Sequence, residues 1–204
     1  MSTASGFTAR QAKALERAAS DQYEALKGAA RYRNVDFALY LMLVVVLAFG
    51  LRTFIMEPIR VKGDSMAPTL LHGEHMFVEK VGYWFEAPAR GDVIICFYPG
   101  YTESCVKRVI ALPGETVEVI GGTVYIDDEM LLEAAYYDGW IEGDFGPLTI
   151  EEDHVFVMGD NRNASKDSRA SSVGAIPYTK VVGRVRAVIW PVSKWQGFPD
   201  VDYA

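Results

Sequence analysis

Two stretches of this chain carry side chains able to break an acyl bond. Gly63-Asp64-Ser65-Met66-Ala67-Pro68-Thr69-Leu70 presents a serine in a loop-like segment, and Val106-Lys107-Arg108-Val109-Ile110 sets a lysine inside an apolar run. A serine hydroxyl is a weak nucleophile and needs a base within hydrogen-bond reach. A lysine amine is such a base only when neutral. Its ordinary pKa is about 10.4, and burial lowers it because desolvation disfavours the ammonium. Arginine cannot take the part, since it keeps its proton. A third stretch, Gly159-Asp160-Asn161-Arg162-Asn163-Ala164-Ser165-Lys166-Asp167-Ser168-Arg169, follows an apolar run as a dense polar loop. Nothing in the spacing brings the three stretches together. Taken singly, a serine in a loop is an ordinary turn residue, and Lys107 is an ordinary charge at a strand edge.

Other residues offer less. His72 and His75 are spaced i, i+3 beside Gly73. The zinc helix motif places its histidines at i and i+4 with a glutamate next to the first, so this cluster reads as a polar turn. Cys96 and Cys105 have no metal-type spacing. No metal and no organic cofactor is expected. The three histidines, with His154, are alternative partners for Ser65, but none sits in a matching motif. Asn163-Ala164-Ser165 is also a glycosylation sequon, read here as coincidence.

Composition narrows the class. The 204 residues are half apolar and 23% charged, enough for one buried core and unlike a disordered chain. Charge is unevenly spread: residues 1–36 carry a net of +2 and residues 57–204 a net of −10. So acidic a C-terminal part repels phosphate backbones, which argues against a nucleic-acid partner.

The elements that must position these residues follow from periodicity. Residues 8–33 read as an amphipathic helix, with Thr8 and Gln11 as a capping box and Gly28 loosening its end. The uncharged run from Phe37 to Leu51, extended to Met56 past a snorkelling Arg52, has bilayer length. Pro58 gives it a stop. A cleaved signal peptide is the competing reading, but 36 residues before the run exceed a usual n-region. Flanking charges bias the N-terminus only slightly towards the cytoplasm. The remainder reads as β. Val117–Ile120 and Thr123–Ile126 flank Gly121-Gly122, a tight hairpin signal. Asp92–Tyr98 and Cys105–Leu112 form a second pair turning through Pro99-Gly100, with Val155–Met158 and Val181–Trp190 as further strands. In the second pair Cys96 can face Cys105, so a disulfide and two buried thiols both stay open. The expected class is mainly β: an antiparallel, partly closed β-domain after an amphipathic helix and one transmembrane helix.

The three polar stretches and Arg90-Gly91-Asp92-Val93, in this order directly after the apolar span, resemble the motif set of the type I signal peptidases. The resemblance covers roughly residues 37 to 191, and the short segment between the Gly-Gly hairpin and Val155 is similar to the compact single-span form. It implies that Ser65 is the acyl-forming nucleophile and Lys107 its general base. It further implies that Ser165 positions the lysine amine, that Asp167 and Arg169 brace the site, and that Met66 packs beside the serine. The backbone N–H of Ser65 is one expected oxyanion donor; Gly63 stands where some relatives place a second, hydroxyl donor. After Arg169, Ala170–Ile176 lacks the aromatic residue common there.

The implied activity is removal of signal peptides from exported preproteins with small residues at −1 and −3. The substrate is expected to lie extended along Arg60, Val61, Lys62 and Gly63. The implied organisation is a cytoplasmic segment (1–36), an anchor in the bacterial cytoplasmic membrane (37–56) and an extracytoplasmic catalytic β-domain (57–204). Two other readings remain. A Ser–Lys protease of the self-cleaving repressor type would need a DNA-binding domain, against which the apolar span and acidic C-terminal part stand. A membrane-tethered β-domain that only binds partners is the second.

Overall fold

The computed structural model describes residues 9–50 and 56–198, in two compact units that divide after Gly50. The first unit is one helix, α1 (Ala9–Gly50). It runs unbroken through Gly28, which the sequence reading expects to loosen the end of a helix over residues 8–33, and on into the apolar run. A glycine costs about 1 kcal/mol relative to alanine inside a helix, which a helix of 42 residues absorbs. Phe37, Leu43, Leu47 and Phe49 are each more than half exposed, a surface suited to hydrocarbon, and the helix is long and apolar enough to cross a membrane. Thr8 of the expected capping box and residues 51–55 of the expected span lie outside the described residues.

The second unit is antiparallel β throughout. Its strands are β1 (Met56–Arg60), β2 (His75–Glu79), β3 (Val93–Phe97), β4 (Ser104–Ala111), β5 (Thr116–Ile120) and β6 (Thr123–Ile126). They continue with β7 (Glu129–Met130), β8 (Phe145–Thr149), β9 (His154–Met158), β10 (Ile176–Pro177), β11 (Val181–Trp190) and β12 (Gln196–Gly197). One sheet runs β1-β2-β11-β3-β4-β9-β10, with β12 on β11, and a smaller one runs β7-β6-β5-β8. Register shifts on β11 and between β4 and β9 mark bulges that bend the larger sheet. Its path does not close on itself, since β1 and β10 are its two ends.

Local chemistry explains the turns. Gly121 and Gly122 have φ of 52° and 81°, the positive values a two-residue hairpin requires. Pro99 and Gly100 fill the central positions of a turn closed by the Tyr101 N–H to Tyr98 carbonyl bond. β3 is covered on both faces. Val93 and Ile95 enter a cluster with Val61, Met66 and Leu70, while Ile94 and Cys96 enter a second one with Val109 and Val157. A third cluster, containing Ile110, Val117 and Phe156, joins the large sheet to the small one. β1 and β8 are absent from the sequence reading because Pro58 and Pro147 interrupt their patterns. Both lie at sheet ends, where a missing N–H is tolerated.

Candidate active site

Ser65 sits in a tightly bonded loop. Val61 N–H donates to the Glu74 carbonyl (2.8 Å), Gly73 N–H to the Val61 carbonyl (3.0 Å) and Leu70 N–H to the Met66 carbonyl (2.9 Å). Met66 and Leu70 are 2% and 0% exposed, and they pin the segment on either side of Pro68 into the core. The serine is thereby carried on a loop whose neighbours are core residues.

Lys107 comes from the middle of β4, opposite Ile94. It is 3% exposed, and its Nζ donates to Ser65 Oγ at 2.7 Å and to the Val106 carbonyl at 2.9 Å. Burial pushes the amine below the ordinary lysine range, while Cys105, Cys96, Asp167 and Asp160 pull the other way. Among the described residues Lys107 has no carboxylate at ion-pair distance. A neutral amine in this geometry can accept the serine proton along the same 2.7 Å line.

The polar loop holds the two parts together. Asn161 N–H donates to the Ser65 carbonyl (3.0 Å), and its side-chain amide to the Asp64 carbonyl (3.1 Å). Asp160 accepts from Thr69 Oγ1 at 2.6 Å and from Arg108 Nε and Nη2 at 2.8 and 2.7 Å. One carboxylate thus ties the serine loop to the lysine strand. Gly159 passes so close to the Ser65 carbonyl and Ser165 that an added methyl group would collide with both.

The remaining expected residues are placed as follows. Asp167 is 1% exposed and accepts from Gly159 N–H (3.1 Å) and from Arg169 Nε and Nη2 (2.8 and 2.9 Å). Arg169 also donates to the Arg162 carbonyl. The Ser165 hydroxyl is buried without a hydrogen-bond partner among the described residues, so it makes no bond to Lys107 in this arrangement. Arg60, Val61, Lys62 and Gly63 line a cleft of about 870 Å³ that also contains Ser65 and Cys105. Gly63 N–H donates to His72 Nδ1 (3.0 Å), a contact the sequence reading did not foresee.

Asp160, Arg108 and Thr69 also escaped that reading as site residues. A signal existed for one of them. Arg108 directly follows Lys107 in an apolar strand, so one of two adjacent cations is buried wherever the other points, and a buried arginine needs a carboxylate. The two cysteines are free, with Sγ atoms 3.6 Å apart.

Comparison with known proteins gives one consistent result. The family model described as "Signal peptidase, peptidase S26" matches residues 34–190. A signal peptidase I of Leptolyngbya laminosa is 40% identical over 161 residues, 74% of this chain and 77% of its own. A probable signal peptidase I-1 of Synechocystis is 41% identical, covering 76% of this chain and 82% of its own. A signal peptidase I of Bacillus licheniformis is 37% identical, covering 76% and 87% respectively. Among solved structures, a signal peptidase I of Enterococcus faecalis aligns with 48% of this chain and 97% of its own at 33% identity, with a TM-score of 0.39. On the family match and the curated relatives, the chain belongs to the signal peptidase family, peptidase S26, whose members are serine peptidases.

Proposed function

We propose that the chain is a membrane-anchored endopeptidase that removes signal peptides from exported preproteins with a Ser65–Lys107 dyad. The observation that carries this reading is the 2.7 Å contact between Lys107 Nζ and Ser65 Oγ, made by a buried amine at the back of an open cleft.

In this mechanism neutral Lys107 takes the Ser65 proton as the oxygen attacks the scissile carbonyl. The proton passes to the leaving amine, and water then hydrolyses the acyl-enzyme. The Ser65 N–H, which has no acceptor among the described residues, is the oxyanion donor. Gly63 contributes no hydroxyl, and its N–H is engaged by His72. Asp167 and Arg169 hold the polar loop around the dyad, and Ser165 steadies the amine once its hydroxyl turns towards it. Met66 fixes the position of the serine from within the core.

The cleft suits an extended peptide. Among the described residues β1 is an end strand with an unpaired outer edge, and residues 104–107 of β4 pair only with β3. A strand-like substrate along Arg60–Gly63 finds backbone partners on both walls. Met66, Met76 and Ile95 give the floor an apolar surface for small −1 and −3 residues. The span in α1 anchors the domain in the bacterial cytoplasmic membrane, with residues 1–36 cytoplasmic and the β-domain outside.

The test is cleavage of a preprotein ending its signal in Ala-x-Ala by the full chain in detergent micelles. Native protein cuts after the second alanine, and Ser65→Ala loses on the order of 10⁴-fold or more in rate while remaining folded. Cleavage by Ser65→Ala at near-native rate contradicts the reading.

A further inference from the structure

The reaction leaves one pair of nucleophiles unused. Cys96 of β3 and Cys105 of β4 are direct partners in the strand register, their Sγ atoms are 3.6 Å apart, and both thiols are free. Cys105 Sγ also donates to the Cys96 carbonyl at 3.4 Å. Residues opposite one another share a sheet face, as do residues two apart on one strand. Cys105 and Lys107 therefore lie on the same face of β4, which Cys96 and Ile94 continue on β3. Cys105 lines the substrate cleft and is partly exposed, whereas Cys96 is fully buried behind it. Directly opposed residues hold their Cβ atoms about 4.5–5.5 Å apart, against roughly 3.5–4.5 Å in a disulfide. A small approach of two strands with side-chain rotation closes that gap.

We propose that Cys96 and Cys105 form a dithiol–disulfide exchange site in the wall of the cleft, with a small organic disulfide as the oxidant. Cys105 is the attacking group, since it alone of the two reaches the cleft. Its pKa is lowered to about 7, chiefly by the hydrogen bond from Cys96 and, against the opposing effect of burial, by the Lys107 charge. The Cys105 thiolate attacks one sulfur of R–S–S–R. That S–S bond breaks, a Cys105–S–S–R bond forms, and the departing R–S⁻ takes up the proton Cys105 lost. Cys96 then loses its proton, attacks the Cys105 sulfur and expels the second R–S⁻, which takes up that proton. Two protein thiols are oxidised to one cystine, and the organic disulfide is reduced to two thiols.

The exchange also changes the surroundings of Lys107. The groups facing its amine are Ser65 from the serine loop, Cys96 from β3, Cys105 on its own strand, and Asp160 and Asp167 from the polar loop. A cystine removes the thiolate that favours the ammonium and leaves the two carboxylates in place. The oxidised chain then holds a neutral lysine at lower pH than the reduced chain. This consequence rests on the proposed role of Lys107 as base; the exchange chemistry does not.

The test uses the full chain in detergent micelles, treated with oxidised glutathione or with reductant. Each sample is denatured, alkylated with iodoacetamide without further reduction, and weighed by mass spectrometry. The glutathione-treated native chain is expected to take up no iodoacetamide. Cys96→Ser is expected to stop at a glutathione adduct on Cys105, and Cys105→Ser to take up no glutathione. Two alkylated cysteines in the treated native chain, or an adduct on Cys96 in Cys105→Ser, overturn the exchange site. The rising limb of cleavage rate against pH is expected to lie about one pH unit lower in the oxidised chain. It is expected not to move on treatment of a Cys96→Ser/Cys105→Ser double variant. Coincident limbs in a fully oxidised and a fully reduced sample overturn the coupling to Lys107. A rate independent of pH in both forms counts instead against lysine as the base.

Discussion

Lys107 and Arg108 are consecutive on β4 and equally buried, each 3% exposed, yet they face opposite sides of the sheet and meet opposite surroundings. Arg108 meets the Asp160 carboxylate through two nitrogens and the Gly91 carbonyl through a third. Lys107 meets a serine hydroxyl and a backbone carbonyl, with no carboxylate at ion-pair distance among the described residues. The first arrangement keeps a charge and the second discourages one. Asp160 serves both: by occupying the arginine it braces the serine loop through Thr69 without pairing with the lysine. One strand thus presents a structural cation and a reactive amine side by side, separated by the alternation of its side chains.

Exchanging the two chemistries separates them most sharply. Lys107→Arg places a group that cannot lose its proton against Ser65, and cleavage of an Ala-x-Ala preprotein is expected to fall on the order of 10⁴-fold. Near-native cleavage by that variant breaks the distinction between the two cations.

Stability gives the next contrast. Arg108→Met leaves the Asp160 carboxylate buried without its charged partner and is expected to cost about 3–5 kcal/mol in urea unfolding. Lys107→Met removes a buried amine that lacks a carboxylate, and is expected to leave stability unchanged or raised. Equal losses in the two variants contradict the account of Lys107 as an unpaired group.

The pH dependence carries the same sign. A lysine whose folded pKa lies below its unfolded value of about 10.4 binds fewer protons in the native state between those two values. Its contribution to stability therefore rises with pH across that window, and the cost of the native ammonium is full below it. Activity rises in the same direction, as the amine becomes neutral. The stability trend is expected to be absent from the unfolding midpoint of Lys107→Met measured against pH, and the activity trend to appear in the native cleavage rate against pH.

The smallest effect belongs to Ser165. Its hydroxyl is buried without a partner among the described residues, so Ser165→Ala is expected to leave stability unchanged or slightly raised. A loss in cleavage rate of roughly 10–100-fold is expected if the hydroxyl turns to the amine during the reaction. A large loss of stability shows instead that the hydroxyl is bonded in the ground state.

What the sequence made legible follows a physical line. Local signals were readable: Gly121-Gly122 needs positive φ, Pro99-Gly100 suits the centre of a turn, and Lys107 stands out in an apolar strand. Pairings across long sequence separations were not. Asp160 reaches back 52 residues to Arg108 and 91 to Thr69, and nothing in residue spacing encodes those contacts. Pro58 reads as the stop of a span, and the strand it then lies in, β1, was hidden by it because an end strand needs no N–H there. Gly28 reads as loosening the end of a helix over residues 8–33, but α1 continues past it to Gly50.

The central claim is that one amine is neutral where other lysines are charged. It is tested most directly by titrating the side-chain amines of ¹⁵N-lysine-labelled full chain in detergent micelles, with Lys107→Met assigning the Lys107 signal. The account predicts that this signal titrates below every other lysine in the β-domain. A Lys107 midpoint among the others, near 10.4, contradicts it.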